Sequence, residues 1–272
     1  MQMTQTTTMI DLSPEIKLST LTTTQGQRVL VARDDLLPGG TKQRACAPFI
    51  QQLLDQGYSQ FIYASPFSGF AQVALAYVCS ILNVKCILIC EKDQRFPNVK
   101  KLHPFSLQAQ SYGAQVFIAD DLMDAEAIAY KLSAQNDKIC KIPLGFDCDE
   151  FKYFLGLELS KAWSRINQLS PKKIKNLWLP VGSGTLTRTF LSILPKDIKV
   201  NCLNVHVLPA EDVRIQNLNL DPRVKLWQAP MKFHAPAIDL PQIPSNLFYD
   251  AKIWAFMQLS AQDGDLWWNV AK

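Results

Sequence analysis

Short apolar segments alternate with helix-like segments along most of the chain, and this alternation constrains the fold more than any other feature of the sequence. The segments QFIYAS (60–65), KCILICE (85–91) and NLWLPV (176–181) are apolar throughout their centres. Strands that are apolar on both faces are typical of parallel sheets covered by helices. Because helical segments lie between these strands, the pattern predicts an α/β fold with parallel sheets.

The alternation breaks at KICKIPLGF (138–146), after which the sequence predicts a long helix from about Glu150 to Gln168. A chain of 272 residues is long enough for two moderate domains. We therefore expect two three-layer α/β/α units with parallel sheets and a cleft between them. The small domain is predicted to cover residues 45–145, and the large domain residues 1–44 and 146–272.

The composition is that of an ordinary globular protein, with 48% hydrophobic and 19% charged residues and a net charge of +4. Its basic residues are scattered, so a nucleic-acid partner is not indicated. No apolar run reaches the length of a membrane span, and the Thr-rich start lacks the pattern of a signal peptide. These features predict a protein of the cytoplasm, or of a host's cytoplasm, with no membrane partner.

Cysteine and histidine spacing predicts neither disulfides nor a metal site. The seven cysteines include no C-x-x-C pair, and several lie in apolar segments where a free thiol behaves as a small hydrophobe. The three histidines are far apart and form no H-x-x-x-H or H-E-x-x-H motif.

Three segments have the form of ligand-binding loops, which in such sheets join strand ends to helix starts. They are PGGTK (38–42), SPFSG (65–69) and VGSGT (181–185). Each is weak alone. A serine and a glycine before a helix are often only a helix cap, GSG lacks the third glycine of the dinucleotide motif, and Gln43 after the lysine rules out a nucleotide P-loop. Their order along the chain is more informative.

In this order the segments resemble the pyridoxal-phosphate enzymes of the tryptophan synthase β-like group, or fold type II. The likeness is nearest to the branch of aminocyclopropane-carboxylate deaminase and D-cysteine desulfhydrase. RDDLLPGGTKQR (33–44) is similar to its proline-glycine-glycine-x-lysine-x-arginine segment, and SGFAQVALAYV (68–78) to its serine-glycine helix start. IPLGFDCDEF (142–151) and VGSGT (181–185) look like the start of its long helix and its phosphate-binding turn.

The resemblance implies roles for individual residues. Lys42 would form the internal aldimine with pyridoxal phosphate and later move a substrate proton. Ser68, a second candidate catalytic residue, and Gly69 would hold the substrate carboxylate, with Ser65 and Tyr249 as further substrate contacts. The phosphate group would be bound by Gly182, Ser183, Gly184 and Thr185.

Two departures from the family pattern bear on the cofactor. Phe70 stands where the family has an asparagine that contacts the phenolic oxygen, so its ring is expected to stack on the cofactor or close the pocket. Asn269 is the uncharged polar candidate in the last strand for contact with the pyridine nitrogen, and Tyr249 and Asp250 are also candidates for this region. An asparagine there favours β-elimination or replacement over transamination.

The sequence thus predicts a pyridoxal-phosphate enzyme that acts on an amino acid or another small amino compound by β-elimination, β-replacement or deamination. The resemblance implies a homodimer. Two alternatives stay open. One is a pyridoxal-phosphate enzyme acting on an amino-acid adduct of a nucleobase or carrier. The other is a divergent, catalytically inactive binding protein of the same fold, which Phe70 favours and the retained Lys42 motif disfavours.

Overall fold

The computed structural model describes residues 11–96, 98 and 101–272. Strands and helices alternate along the described chain. The strands are β1 (Leu18–Thr22), β2 (Arg28–Arg33), β3 (Gln60–Ser65), β4 (Lys85–Glu91), β5 (Gln115–Ala119), β6 (Ile139–Ile142), β7 (Asn176–Val181), β8 (Lys199–Asn204), β9 (Val224–Gln228) and β10 (Leu266–Asn269). The helices are α1 (Gly40–Asp55), α2 (Ala71–Ile81), α3 (Pro104–Ser111), α4 (Leu122–Ala134), α5 (Asp149–Leu169), α6 (Thr185–Ile193), α7 (Val213–Gln216) and α8 (Ala251–Ser260).

The strands form two separate sheets. One has six strands in the order β1-β2-β10-β7-β8-β9, and the other has four in the order β5-β4-β3-β6. The pairings are parallel except for that of β1 with β2, which is antiparallel. The prediction of an α/β fold with parallel sheets is therefore confirmed.

Both sheets are covered by helices on both faces. In the six-stranded sheet, Trp267 faces the core formed with α8, whereas its neighbour Trp268 faces the core formed with α1, α5 and α6. In the four-stranded sheet, α4 covers one face, and α2 and α3 cover the other. Neighbouring residues of a strand point to opposite faces, so each sheet is the middle layer of three, as predicted.

The two sheets draw their strands from different stretches of the chain. The four-stranded sheet comes entirely from residues 60–142, within the stretch predicted for the small domain. The domain boundaries themselves, at 44/45 and 145/146, stay a prediction. Among the described helices, none combines the length and the apolar character that crossing a bilayer requires.

Three details differ from the sequence expectations. β1 and β2 form an antiparallel hairpin absent from the predicted order, because the segment LSTLT is polar and mostly half-exposed. α8 begins at Ala251, whereas the sequence pattern starts at Phe248. α1 begins at Gly40, so Lys42 lies in its first turn and not in the preceding loop.

Strand ends bring distant parts of the chain to one place. β2, β7 and β10 are parallel neighbours, so their carboxyl ends meet at one edge of the six-stranded sheet. The loops after these strands, together with those after β3 and β6, enclose a cavity. It is lined by, among others, Lys42, Pro66, Gly145, Ser183 and Ala271, and is here called the central cavity.

Candidate active site

The start of α1, which carries Lys42, is held firmly on both sides of the lysine. The hydroxyl of Thr41 accepts a hydrogen bond from the indole N–H of Trp268 at 2.9 Å. Arg44 forms a buried ion pair with Asp34 at 2.7 Å, and Trp268 also donates to Asp34 at 3.0 Å. The backbone beneath Lys42 is therefore fixed by polar contacts that cross from α1 to β10.

The Lys42 amine itself is unpaired. It makes no hydrogen bond or ion pair within the described residues, and Lys42 lines the central cavity. Desolvation lowers its pKa to about 8, against the opposing effect of the negative Asp147 carboxyl group. A lysine with this pKa is neutral for part of the time near pH 7, and a neutral amine is a nucleophile and a base.

Two glycines allow this helix start to approach its neighbours. Gly40 has a φ of +62°, and a side chain there would overlap the carbonyl oxygen of Val270 and lie 3.3 Å from the Phe70 ring. A Cβ at Gly39 would lie 2.8 Å from the Cα of Ala74. The PGG segment therefore serves close backbone contact between α1, α2 and the end of β10.

The turn between β7 and α6 has the donors that an anion requires. Gly184 precedes the helix with a φ of +79°, and no side chain caps the helix start. The hydroxyls of Ser183 and Thr185 are buried and 2.9 Å apart. The first N–H groups of a helix lack partners within the helix and attract negative charge. The predicted phosphate-binding turn, residues 182–185, thus forms a helix-terminal cradle.

A short 3-10 helix, Leu144–Phe146, packs against this cradle. Gly145 has a φ of +68°, and a side chain there would overlap the Ser183 hydroxyl. Its N–H donates to the hydroxyl of Tyr63 at 3.2 Å. Just beyond it, Asp147 pairs with Arg188 of α6 at 2.6 Å. These contacts fix the cradle to the loop before α5.

The loop after β3 brings only part of its predicted residues to the cavity. Gly69 and Phe70 line the central cavity, and Phe70 meets Phe105 edge to face with ring centroids 5.0 Å apart. Ser65 and Ser68 are not among the lining residues. The Ser65 hydroxyl donates to the main chain of the next residue, and the buried Ser68 hydroxyl has no partner in the described part of the chain.

The C-terminal wall places Asp250, and not Asn269, at the cavity. Tyr249 and Asp250 line it, whereas the Asn269 amide donates to a main-chain carbonyl at 2.8 Å and stays outside the lining. The Asp250 carboxyl accepts the N–H groups of Val270 at 2.8 Å and Ala271 at 3.2 Å. Burial raises the pKa of Asp250 well above its usual range, although these two N–H groups oppose the shift.

Several lining residues were missed by the sequence predictions, among them Tyr63, Asn246 and Gly145. Tyr63 lies in an apolar strand and reads as a core residue, and Asn246 carries no motif. Gly145 belongs to the IPLGF segment, whose glycine was the available signal. Burial raises the pKa of Tyr63, so this group stays a neutral phenol.

The central cavity is narrow, at about 70 Å³, which is room for a few water molecules. The Tyr249 hydroxyl lies so close to Gly182 that a side chain at Gly182 would overlap it. A larger ligand therefore enters only when side chains move. Tyr249 is well placed to do so, because its hydroxyl makes no hydrogen bond within the described residues.

Comparison with solved structures identifies proteins of similar fold. The fold is similar to the crystal structure of an ACC deaminase homologue, with a TM-score of 0.72 and 19% identity over 96% of this chain and 91% of that one. A hydrogen sulfide-producing enzyme from Fusobacterium nucleatum has a TM-score of 0.67 and 13% identity, with 98% of each chain covered. Diaminopropionate ammonia lyase from Escherichia coli has a TM-score of 0.68 and 13% identity over 96% of this chain and 84% of that one.

The sequence itself settles the family. No curated protein sequence matches the chain. Residues 6–217, well over half of the chain, match the family described as pyridoxal-phosphate dependent enzyme. This match confirms the predicted family, enzyme class and cofactor, and the solved structures confirm the fold. The chain belongs to the pyridoxal-phosphate-dependent enzymes.

Proposed function

We propose that Lys42 binds pyridoxal phosphate covalently and that the chain catalyses β-elimination, β-replacement or deamination of an amino acid or another small amino compound. One observation carries the proposal. The Lys42 amine has no partner among the residues that the structure describes, has its pKa lowered to about 8, and lies in a cavity that also reaches Ser183 at the α6 helix start.

The residues around the central cavity fit the cofactor. Pyridoxal phosphate combines an anionic phosphate, an aldehyde and a pyridine ring, and when bound it supplies an acceptor for the electrons of the substrate's α-carbon. The N–H groups at the start of α6 suit the phosphate, and the Lys42 amine suits the aldehyde. Phe70 and Phe233 provide apolar walls for the ring.

Lys42 also supplies the base for the reaction. With the cofactor bound, the Lys42 amine would accept a proton from the α- or β-carbon of the substrate. A pKa of about 8 suits transfer in both directions near neutral pH. The contacts at the start of α1 fix the backbone that carries this amine, so the base is attached to a helix and not to a loop.

Asp250 replaces Asn269 as the proposed partner of the pyridine nitrogen. It is the acidic side chain that the described residues bring to the central cavity. A buried carboxyl group beside a ring nitrogen favours the protonated ring, because the pair avoids leaving a lone carboxylate in an apolar site. The preference against transamination, which depended on Asn269, therefore loses its basis.

The names of the structurally similar proteins support a reaction of this chain in which a small leaving group is released. They include an ACC deaminase homologue, a hydrogen sulfide-producing enzyme and a diaminopropionate ammonia lyase. Ammonia and hydrogen sulfide are products of deamination and elimination. We therefore rank these two reactions before replacement for this chain.

A second candidate substrate is an amino compound with an extended aromatic part, such as an amino-acid adduct of a nucleobase. A second cavity of about 550 Å³, here called the aromatic cavity, is lined by Phe67, Phe105, Phe248 and Lys101, among others. Because Phe105 contacts Phe70 of the central cavity, a long substrate could reach both. Phe96, which also lines the aromatic cavity, is exposed, so Phe96→Ala should then lower kcat/KM for amino compounds with an aromatic far end and leave that for short amino acids unchanged. An equal effect on both would contradict this candidate.

We also infer a homodimer in a reducing compartment. Tyr153 and Leu157 on α5 are 63% and 45% exposed, as expected of an apolar contact surface. All seven cysteines are free, which is typical of the cytoplasm. Light scattering coupled to size-exclusion chromatography would test the dimer, and a monomer at micromolar concentration would contradict it.

Cofactor attachment can be tested directly. The purified chain mixed with pyridoxal phosphate should turn yellow, and borohydride reduction followed by peptide mass spectrometry should place the label on Lys42. Lys42→Ala should lose both the colour and the label. Lys252→Ala is the matched control, because Lys252 is also a buried lysine whose pKa is lowered to about 8, yet it does not line the cavity. Label on Lys252 or Lys141 would contradict the assignment, and a chain that binds no cofactor would favour the inactive binding protein.

A further inference from the structure

Asn246 presents an unpaired donor at the central cavity. The residue is 2% exposed and lines the cavity, and its Nδ2 has no hydrogen bond partner in the described part of the chain. Its Oδ1 accepts the N–H of Phe248 at 3.0 Å, which fixes the orientation of the amide group. The free atom is therefore a donor and not an acceptor.

A buried donor without a partner destabilises the folded protein, and most buried polar groups have partners. Asn246 is also held by its backbone, since its N–H donates to the carbonyl of Ala271 at 2.9 Å. The amide group cannot easily turn to find another acceptor, because this would break the bond with Phe248. An acceptor must therefore come to Nδ2 from a molecule in the cavity.

The position of Asn246 favours the cofactor as that molecule. A Cβ at Gly40 would lie 3.2 Å from the Cβ of Ala271 and 3.3 Å from the Phe70 ring, so these two side chains flank the turn that carries Lys42. Phe70 offers no hydrogen bond donor on its side. Asn246, whose N–H donates to the carbonyl of Ala271, brings an amide donor to the wall of the same cavity.

We propose that Asn246 is a positioning residue whose Nδ2 donates a hydrogen bond to an oxygen atom of bound pyridoxal phosphate. This inference rests on the proposed function. The bond orients the ring beside Lys42 and supplies a donor that Phe70 cannot. It also explains why a costly unpaired amide is kept in the wall of the cavity.

The test uses Asn246→Asp, which keeps the oxygen that accepts the Phe248 N–H and replaces the donor by an acceptor. Cofactor affinity is measured by absorbance titration, without any substrate. Loss of a hydrogen bond to a charged group should raise the Kd for pyridoxal phosphate about tenfold or more and shift the absorbance band. Asn246→Ser, whose shorter hydroxyl can still accept the Phe248 N–H, should show the same loss if the aspartate variant fails to fold.

Asn204→Asp is the matched control. Asn204 is also fully buried and accepts an N–H two residues on, from His206 at 3.0 Å, but its Nδ2 already donates to Gln228 and it does not line the cavity. The Kd of the Asn204→Asp variant for pyridoxal phosphate should match that of the wild type. Wild-type affinity in a folded Asn246 variant would overturn the inference alone. A wild type that binds no pyridoxal phosphate would overturn the proposed function as well.

Discussion

Two lysines, the half-buried Lys42 at the start of α1 and the buried Lys252 at the start of α8, have similarly lowered pKa values but different surroundings. Desolvation lowers the pKa of each to about 8. The Lys252 amine donates to the carbonyls of Lys232 and Phe233 at 3.0 and 3.1 Å, whereas the Lys42 amine has no partner within the described residues. A lowered pKa alone does not mark a reactive lysine; an unpaired amine in a cavity does.

The largest expected difference concerns turnover. Lys42→Arg keeps the positive charge but removes the amine that we propose to bind the cofactor and move the proton, so kcat should fall about a thousandfold or more. Lys252→Arg should change kcat by less than about tenfold, because its contacts are with main-chain carbonyls outside the cavity. Steady-state assays on both variants at saturating cofactor would measure this. Similar losses in both would remove the distinction between the two lysines.

The next effect concerns stability at α8. Lys252→Met should lower the free energy of unfolding by about 2 kcal/mol, because two carbonyl groups near Phe233 lose their donor. Urea denaturation at pH 7 would measure it. The yellow colour of the cofactor complex should remain, since Lys42 is untouched. A Met variant as stable as the wild type would show that relief from burying the charge cancels the lost hydrogen bonds.

At Lys42, replacement by methionine is expected to change the free energy of unfolding in the opposite direction. Lys42→Met should raise the free energy of unfolding of the cofactor-free chain by about 1–2 kcal/mol, allowing for partial exposure to solvent, because it removes an unpaired amine that burial disfavours. Between pH 8 and 10.5 the unfolded chain keeps the lysine proton that the folded chain has lost, so the wild type gains stability as pH rises. The advantage of the variant should therefore be full below pH 8 and vanish above 10.5. A constant difference across this range would contradict the lowered pKa.

The smallest effect is expected at Phe70. Here the comparison is between two residues of the cavity wall, Phe70 without a hydrogen bond donor and Asn246 with one. Phe70→Asn loses the edge-to-face contact with Phe105, worth about 1 kcal/mol, and gains an amide donor. If Asn246 already donates a hydrogen bond to the cofactor, Phe70→Asn should raise the affinity for pyridoxal phosphate by less than about tenfold in the wild-type background. In the Asn246→Asp background the same substitution should raise it by more. Absorbance titrations of the single and double variants would measure both. No change in either background would show that Phe70 does not face the cofactor.

The parts of the site that the sequence predicted are local ones. Lys42 and its two glycines stand within four residues, and the turn at 182–185 is continuous, so short motifs taken in their order along the chain pointed to them. Asn246 and Asp250 reach Lys42 from about two hundred residues away, through the pairing of β10 beside β2. That pairing also decides which side of the last strand faces the cavity, and it leaves Asn269 outside. Motif spacing holds no information about such long-range register.

The fold was more predictable than the site for a related reason. Burial on both faces leaves an apolar run in each strand, and this signal survives without knowledge of the neighbouring strands. The edge strand β1 lacked it, because β1 is partly exposed and polar at several positions. Ser68 shows that the sequence can predict an element without predicting where its side chain lies. Its loop was identified correctly as a helix start, but Ser68 does not line the cavity.

The place of β10 in the sheet affects how the protein is made. This strand is translated last among the ten, yet it lies between β2 and β7 near the middle of the six-stranded sheet. Until Leu266–Asn269 leaves the ribosome, both neighbours expose open edges, and Trp268 cannot anchor the start of α1. Such edges invite aggregation or capture by chaperones. A chain cut short before Leu266 would therefore meet quality control with Lys42 already synthesised but the start of its helix not yet held in place.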